Sequence, residues 1–329
     1  MEVGYRTGAT VDRARSNWQG DASRPLAWSA WYPCPDDAVA IHPSGQFFDL
    51  GRVHTNADLV EERKLPVVLL SHGTGGSPEG MGWLAHRLAL AGRLVIGAHH
   101  HGNTATQSYR PEGFLCWWER TADLSALLTL LDQEGPFAGR MDLNKISAVG
   151  FSLGAHTVLA LAGAVTSMER YHTWASYFPA FRGGPREMPD AANQIPALMQ
   201  TSAPFGSSWG RQSDSFLDKR VGAVIAIAPP PPVWGFDPAS LASIEMPVTL
   251  ITGESDTEAP SQECADWLMQ KNARFRRISV GRAVGHYTFL GFPGEAAGGE
   301  ELIFFRDNPE VRRADVHARA ASEIDAILA

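Results

Sequence analysis

Cysteine is scarce. Cys34, Cys116 and Cys264 lie far apart in 329 residues and outside any CxxC pattern, which excludes a disulfide framework and a zinc knuckle and leaves ordinary buried thiols as the expectation. No run of about 18 apolar residues occurs, so no membrane-spanning helix is expected. The opening MEVGYRTGATVDRARSNW puts polar residues where a secretory signal needs an apolar stretch, and a cytoplasmic protein is expected from it. Positive charge is in deficit: 28 Lys and Arg against 36 Asp and Glu give a formal charge of −8. With no dense basic run, this argues against nucleic acid or an anionic membrane as partner and favours a small molecule. Internal repeats and low-complexity tracts are also missing, the four prolines at 229–232 being too short to count.

What is present is the makings of a core. Hydrophobic residues are 44% and charged residues 19% of the chain, ordinary for a globular protein and far from a disordered one. Short β-branched runs alternate with helical patterns from Pro66 onward, the mark of a doubly wound, mostly parallel sheet. Strands are expected at 26–32, 67–71, 94–98, 145–150, 221–228, 248–252 and 275–280, several of them near-continuous apolar runs, as strands covered on both faces should be. Leu124, Leu127, Leu128 and Leu131 recur at i, i+3, i+4 and i+7, giving one helix face for the sheet. Further helices fit 81–91, 153–163, 261–271 and the tail from about Pro309 to Ala329. Two regions break the rhythm. Residues 36–64 read as a polar loop, and 164–219, with Trp174, Tyr177, Phe178 and Phe181, are too long for a plain connector and read as an inserted cap or lid. The expectation is one domain over 1–329 with that cap inside it; a homo-oligomer is compatible with the sequence.

The chemistry gathers where strands end. Gly150-Phe151-Ser152-Leu153-Gly154 follows an apolar strand and opens a helix, the context of a nucleophile elbow, in which flanking glycines allow a sharp turn and the serine hydroxyl stands exposed. The bland reading is a strand-to-helix turn capped by Ser152. Upstream, Ser71-His72-Gly73-Thr74-Gly75-Gly76 is a glycine-rich loop at the position of a second oxyanion donor, which makes the backbone N–H groups of Thr74 and Leu153 the expected pair. A phosphate cradle is disfavoured, since no GK[ST] follows. Asp256 projects after strand 248–252, with Glu254 and Glu258 as its competitors, and His286 follows the last strand. The order Ser152, Asp256, His286 is that of one fold of triad hydrolases and not of chymotrypsin or subtilisin.

The other histidines carry less. His99, His100 and His101 are consecutive, and in an extended segment alternate side chains point apart, so they cannot converge on one metal ion; at the end of a sheet strand they are expected to line the pocket rim or bond neighbouring loops, and no metal and no organic cofactor is expected. His72 and His156 read as packing neighbours of the site. Trp83, His100, Trp117, Trp174 and Tyr287 are the candidate substrate-binding residues, on the argument that they follow strand ends where an apolar pocket would open.

With those residues in place, the chain resembles the bacterial predicted dienelactone hydrolases and, through them, platelet-activating-factor acetylhydrolase-like and cutinase-like enzymes of the α/β-hydrolase fold. The likeness runs through Val3-Gly4, the stretch Leu26 to Pro33, the SHGTGG loop, the GFSLG elbow, the block Gly285 to Leu290 and a final helix around Arg313 to His317. It implies carboxylic-ester hydrolysis through an acyl-enzyme, with Ser152, Asp256 and His286 as triad and Thr74 and Leu153 as oxyanion donors. True dienelactone hydrolases use a cysteine where this chain has Ser152, so the family name does not carry the substrate. The expected activity is a serine esterase or lactonase on a small to medium, partly apolar substrate. Amide cleavage or acyl transfer by the same triad, and a non-catalytic ligand-binding module, are the alternatives.

Overall fold

The computed structural model describes residues 1–36, 43–60, 63–178 and 182–329, so Phe181 and the ends of the polar stretch at 37–42 and 61–62 lie outside the described residues. In chain order the strands are β1 (Glu2–Ser16), β2 (Ser23–Cys34), β3 (His54–Thr55), β4 (Leu65–Ser71), β5 (Leu94–His99), β6 (Met141–Phe151), β7 (Val221–Ile227), β8 (Val248–Thr252) and β9 (Arg276–Ser279). The helices are α1 (Gly82–Leu90), α2 (Pro111–Leu115), α3 (Trp118–Gln133), α4 (Leu153–Leu161), α5 (Met168–Ala175), α6 (Ile195–Thr201), α7 (Ala203–Gly210), α8 (Pro238–Ala242), α9 (Ala265–Lys271) and α10 (Arg313–Leu328). Among the described residues the strands join into one sheet of order β3-β1-β2-β5-β4-β6-β7-β8-β9. Strand β2 is antiparallel to both β1 and β5, and β4 to β9 run parallel. This is the mixed, doubly wound arrangement expected of an α/β-hydrolase.

Side-chain alternation divides the strands between two cores. Val67 and Leu69 of β4, Val224 and Ala226 of β7 and Leu250 of β8 face a cluster filled by α3, α4 and α9. Their neighbours Val68, Leu70, Ile225, Ile227 and Ile251 face the other cluster, filled by α1 and α10. Successive residues of a strand point to opposite faces, so a strand covered on both faces is apolar at most positions, which is why β4 and β7 read as near-continuous apolar runs. A third cluster joins Trp117 and Trp118 to Met168, Ala191 and Phe205 of the insertion between α4 and β7.

One long element was not expected. Strand β1 extends over 15 residues at the antiparallel edge, yet it contains Gly4 and Gly8, which weaken a strand. Both glycines are covered by rings of β2. A Cβ at Gly4 would overlap the Tyr32 ring, and one at Gly8 the Trp28 ring. The polar stretch 36–64 also holds a short strand, β3, paired in parallel with β1.

Chain order reverses between β4 and β6: β5 lies on one side of β4, and all later strands lie on the other. At such a switch point the connections leave in opposite directions and a crevice opens beyond the carboxyl ends of the strands. The loop after β4 and the turn after β6 meet there. The backbone is so close at this meeting that a Cβ at Gly154 would overlap the carbonyl of Ser71, and one at Gly150 the carbonyl of Gly154. Gly154→Ala is therefore expected to destabilise the protein by about 3 kcal/mol or more, since the obstacle is backbone that cannot rotate away. A urea midpoint within error of the unmodified protein would contradict this packing.

Candidate active site

Ser152 occupies the first position after β6 with φ 54° and ψ −123°, a left-handed backbone that is strained for a residue with a Cβ. The strain is held by neighbours: the Ser152 N–H donates to the Ile227 carbonyl at 2.9 Å, and the Ser152 carbonyl accepts from the Ala155 N–H at 2.7 Å. Its hydroxyl makes no capping bond to α4, which removes the reading of Ser152 as a helix cap. Instead its Oγ lies 3.0 Å from His286 Nε2.

His286 begins a 3-10 turn, His286–Phe289, and its Nδ1 lies 2.8 Å from Asp256 Oδ2. The other carboxylate oxygen of Asp256 accepts the backbone N–H groups of Glu258, at 3.0 Å, and Ala259, at 2.7 Å. Those bonds fix the carboxylate and leave Oδ2 for the imidazole. With Nδ1–H donating to the carboxylate, Nε2 is the bare nitrogen able to accept the serine proton. Asp256 and His286 are both buried. Glu254 pairs with Ser279 at 2.8 Å on the surface, and Glu258 stands on the cavity wall, so neither competes with Asp256 for His286.

Thr74 and Leu153 both border the same cavity as Ser152 and His286, and among the described residues neither backbone N–H has a protein acceptor. The loop that carries Thr74 is tied on every side. Gly75 N–H donates to Asn103 Oδ1 at 2.6 Å, Tyr109 Oη–H to the Gly75 carbonyl at 2.7 Å, and Thr104 Oγ1–H to the Gly76 carbonyl at 3.0 Å. Beneath it the fully buried Arg120 donates to the His72 carbonyl and lies 3.4 Å from Asn103 Oδ1. Burial pushes the Arg120 guanidinium down to about 9, with Asp123 opposing the shift, and the group stays cationic at neutral pH. Asn103, Tyr109 and Arg120 were not singled out from the sequence. The sequence signal for Asn103 was weak: a polar residue two positions beyond the strand-end histidines.

The cavity holds about 1410 Å³ and is walled by Phe47, Phe48, Phe114, Trp117, Tyr171 and Phe304, among others. Trp117 and Tyr287 face it as expected. Three other candidates sit elsewhere. Trp83 stacks on His317 at 3.9 Å and donates its indole N–H to the Phe289 carbonyl, which makes it a support for the His286 turn. His100 points into the core between Ser71 and Asp123. Trp174 packs on Trp234 at 5.8 Å, outside the wall. Tyr171, Phe304 and Glu79 stand on the wall without having been singled out, and His99 stands there as a strand-end rim residue. The three cysteines are buried and unpaired, as expected, and among the described residues no helix is long and apolar enough to cross a membrane.

No family model matches the chain, and no curated protein matches it. Solved structures do. A ferulic acid esterase from Streptomyces cinnamoneus is similar with a TM-score of 0.64 at 19% identity, over 99% of this chain and 89% of that one. A protein described as a dipeptidyl aminopeptidase IV from Bacteroides ovatus is similar with a TM-score of 0.51 at 12% identity, over 99% of this chain and 35% of that one. At these identities the likeness establishes the α/β-hydrolase fold.

Buried histidines around the site make stability depend on pH. Burial, with Arg120 adding to it, pushes His100 and His156 each down to about 3, and burial pushes His317 down to about 4. The folded values lie below the unfolded value of about 6.5, so as pH falls the unfolded chain takes up protons first. The stability from these groups is complete above about pH 6.5 and is lost as pH falls toward the folded values. Between about pH 6 and 5, above the main carboxylate range, each contributes a slope of up to about 1.4 kcal/mol per pH unit. Urea midpoints across this window should fall with the uptake of at least about three protons, and His156→Phe should remove about one of them. A curve of unchanged slope in that variant would show that His156 is not held neutral.

Proposed function

We propose that this chain is a serine hydrolase that cleaves a carboxylic ester or lactone through an acyl-enzyme, with Ser152 as nucleophile, His286 as base and Asp256 as its acidic partner. The observation that carries the reading is the continuous hydrogen-bonded line Asp256, His286, Ser152, at 2.8 and 3.0 Å, ending on a serine whose strained backbone leaves its hydroxyl free of any helix-capping duty. Nε2 of His286 would take the serine proton as Oγ attacks the carbonyl carbon, and return it to the leaving oxygen. The carboxylate of Asp256, held by two backbone N–H groups, would keep the proton on Nδ1 and stabilise the imidazolium.

The tetrahedral oxyanion would be met by the N–H groups of Thr74 and Leu153. Donors fixed before reaction are worth roughly 3 kcal/mol each in the transition state, and the ties on the 73–76 loop supply that fixity. The N-terminus of α4, which begins at Leu153, adds its dipole in the same direction. Ester cleavage is favoured over peptide cleavage by the likeness to the ferulic acid esterase, which spans 89% of that chain, against 35% of the aminopeptidase. The branch of dienelactone-hydrolase-like and platelet-activating-factor acetylhydrolase-like esterases rests on the SHGTGG and GHYTFL blocks. We assign a cap role to 164–219: Met168, Tyr171 and Arg186 of this insertion stand on the cavity wall, and the volume and aromatic walls suit a small to medium, partly apolar substrate.

A fluorophosphonate probe should label Ser152, and Ser152→Ala should lower kcat on p-nitrophenyl esters by about 10⁴-fold or more. Asp256→Asn should lower kcat by roughly 10³- to 10⁴-fold, because the wrong imidazole tautomer would be held toward the serine. An adduct on another residue, or full turnover by Ser152→Ala, would refute the mechanism. Unimpaired Asp256→Asn would remove Asp256 from it.

A further inference from the structure

The cavity that contains Ser152 extends past the oxyanion loop to a second, polar end beneath the β1–β2 hairpin. Its walls there are Tyr5, Gly8, Ala27, Trp28, Thr106 and Gln107, and two ionisable side chains, Glu79 and His99, face it. Both residues are buried, at 8% and 7% exposure, and neither takes part in the proposed triad. Glu79 lies in the 3-10 turn Pro78–Met81 directly after the SHGTGG loop, so one short segment carries both Thr74 and this carboxylate.

The hydrogen bonds at this end can be oriented from the donor inventory. Tyr5 Oη–H donates to Glu79 Oε1 at 2.9 Å, and Ser29 Oγ–H donates to the same oxygen at 2.5 Å. Ser29 has then spent its only proton, so its 2.9 Å contact with His99 Nε2 requires His99 to donate from Nε2. His99 Nδ1 is left as an acceptor. Thr104 gives its hydroxyl proton to the Gly76 carbonyl at 3.0 Å, so the donor to Nδ1 is Thr106 Oγ1, at 3.1 Å. Every donor in the chain Thr106, His99, Ser29 points toward the carboxylate. Burial raises the Glu79 pKa, but His99 and the hydroxyls of Ser29 and Ser77 outweigh it and hold the group below the usual carboxylate range. Burial also keeps His99 below its usual value, and hence neutral at pH 7. The cluster therefore carries one net negative charge. What it presents to the cavity is acceptor capacity, on the ionised carboxylate and on the Thr106 oxygen, with no proton left over to offer a ligand.

We propose that this alcove is a specificity site for a hydrogen-bond donor, a hydroxyl or an ammonium group, carried by the substrate at the end remote from the scissile ester. The reach follows from the sheet. His99 ends β5, two strands from β6, and Ser29 lies on β2, three strands away, which at about 4.8 Å per strand places the alcove about 10 to 14 Å from Ser152. A ten-carbon chain spans that distance. The proposal rests on the serine-hydrolase reading of Ser152 and adds the polarity and length of what Ser152 acts upon. A substrate with an anionic end is disfavoured, because the alcove is already negative and buried.

The test is a set of p-nitrophenyl esters of decanoate, 10-hydroxydecanoate, 10-aminodecanoate and the decanedioate monoester, with decyl and 10-hydroxydecyl acetate covering the opposite orientation. In at least one orientation the hydroxyl or ammonium end should raise kcat/KM at least about tenfold over the plain chain, in line with a hydrogen bond to a charged group, and the carboxylate end should lower it. The comparison of hydroxyl with ammonium decides between a neutral and a cationic donor. In Glu79→Gln the preference should shrink toward unity for the hydroxyl and vanish for the ammonium, while the plain decanoate reports that the variant is folded and active. Equal kcat/KM for plain and donor-bearing chains in both orientations overturns the proposal, as does a preference that survives in Glu79→Gln. Failure of the Ser152 reading shows separately, as no fluorophosphonate adduct and no turnover of any ester. In that event, calorimetric binding of 1,10-decanediol in preference to decanol, lost in Glu79→Gln, upholds the alcove, and equal or absent binding of the two overturns it.

Discussion

The site depends on how closely two backbones approach at the switch point of the sheet. The first turn of α4 lies against the end of β4 with no room for a side chain at Gly154, whose Cβ would overlap the Ser71 carbonyl. That approach brings the Leu153 N–H and the 73–76 loop to one crevice, and it leaves Ser152 in the one conformation that lifts its hydroxyl above the sheet. A bulkier residue at this point would separate the 73–76 loop from the start of α4 while leaving each locally intact. The elbow and the glycine-rich loop are therefore a single packing unit, although their glycines 75 and 150 are 75 positions apart in the chain.

Packing alone would not hold the 73–76 loop, because a loop has no ladder of its own. The structure supplies buried charge instead. Arg120 reaches the His72 carbonyl from below, and its neighbour Asp123 pairs with Arg24 at 2.6 Å and with Arg15 at 2.8 Å. Glu119 joins Arg15 at 2.8 Å and also pairs with Arg211 of the insertion. Burying such a network costs desolvation that its ion pairs only partly offset, and well-packed apolar residues can be as stable. What the network adds is direction: a guanidinium with several fixed partners cannot slide. Removing one partner would strand the others in a low dielectric at a cost of several kcal/mol. The 73–76 loop is thus held by groups whose own positions are fixed from β1, β2, α3 and the insertion at once.

The parts of the molecule that could be read from the sequence are those whose signal is local. The apolar strands β4 to β8, the leucine face of α3 and the glycines around Ser152 each announce themselves within a dozen residues, and chain order then nominated Asp256 and His286. Strand β1 escaped because its glycines argue against a strand, and the reason they are tolerated, the rings of Trp28 and Tyr32, lies on another strand. The cavity wall was read least well for the same reason. Trp83 and Trp174 have the composition of wall residues, but they stack on His317 and Trp234, partners set by helices far along the chain. Conversely, Glu79 carries no local signal of its own, and it becomes part of the cavity because β1 and β2 place Tyr5 and Ser29 on it.

The three consecutive histidines show how one regularity divides such roles. His99 ends β5 facing the cavity and Ser29. His100 points to the opposite side, to Ser71 and Asp123 under the 73–76 loop, and His101 returns toward Trp18, to whose indole N–H its carbonyl is the acceptor at 2.9 Å. Alternation along an extended backbone forbids the three rings from sharing a ligand, and it also forbids His99 and His100 from exchanging duties. One of the two must be buried among the charges that support the loop, and the other must border the space the loop encloses. Composition alone marks them as equivalent. The strand's period of two makes His99 part of the cavity and His100 part of its foundation.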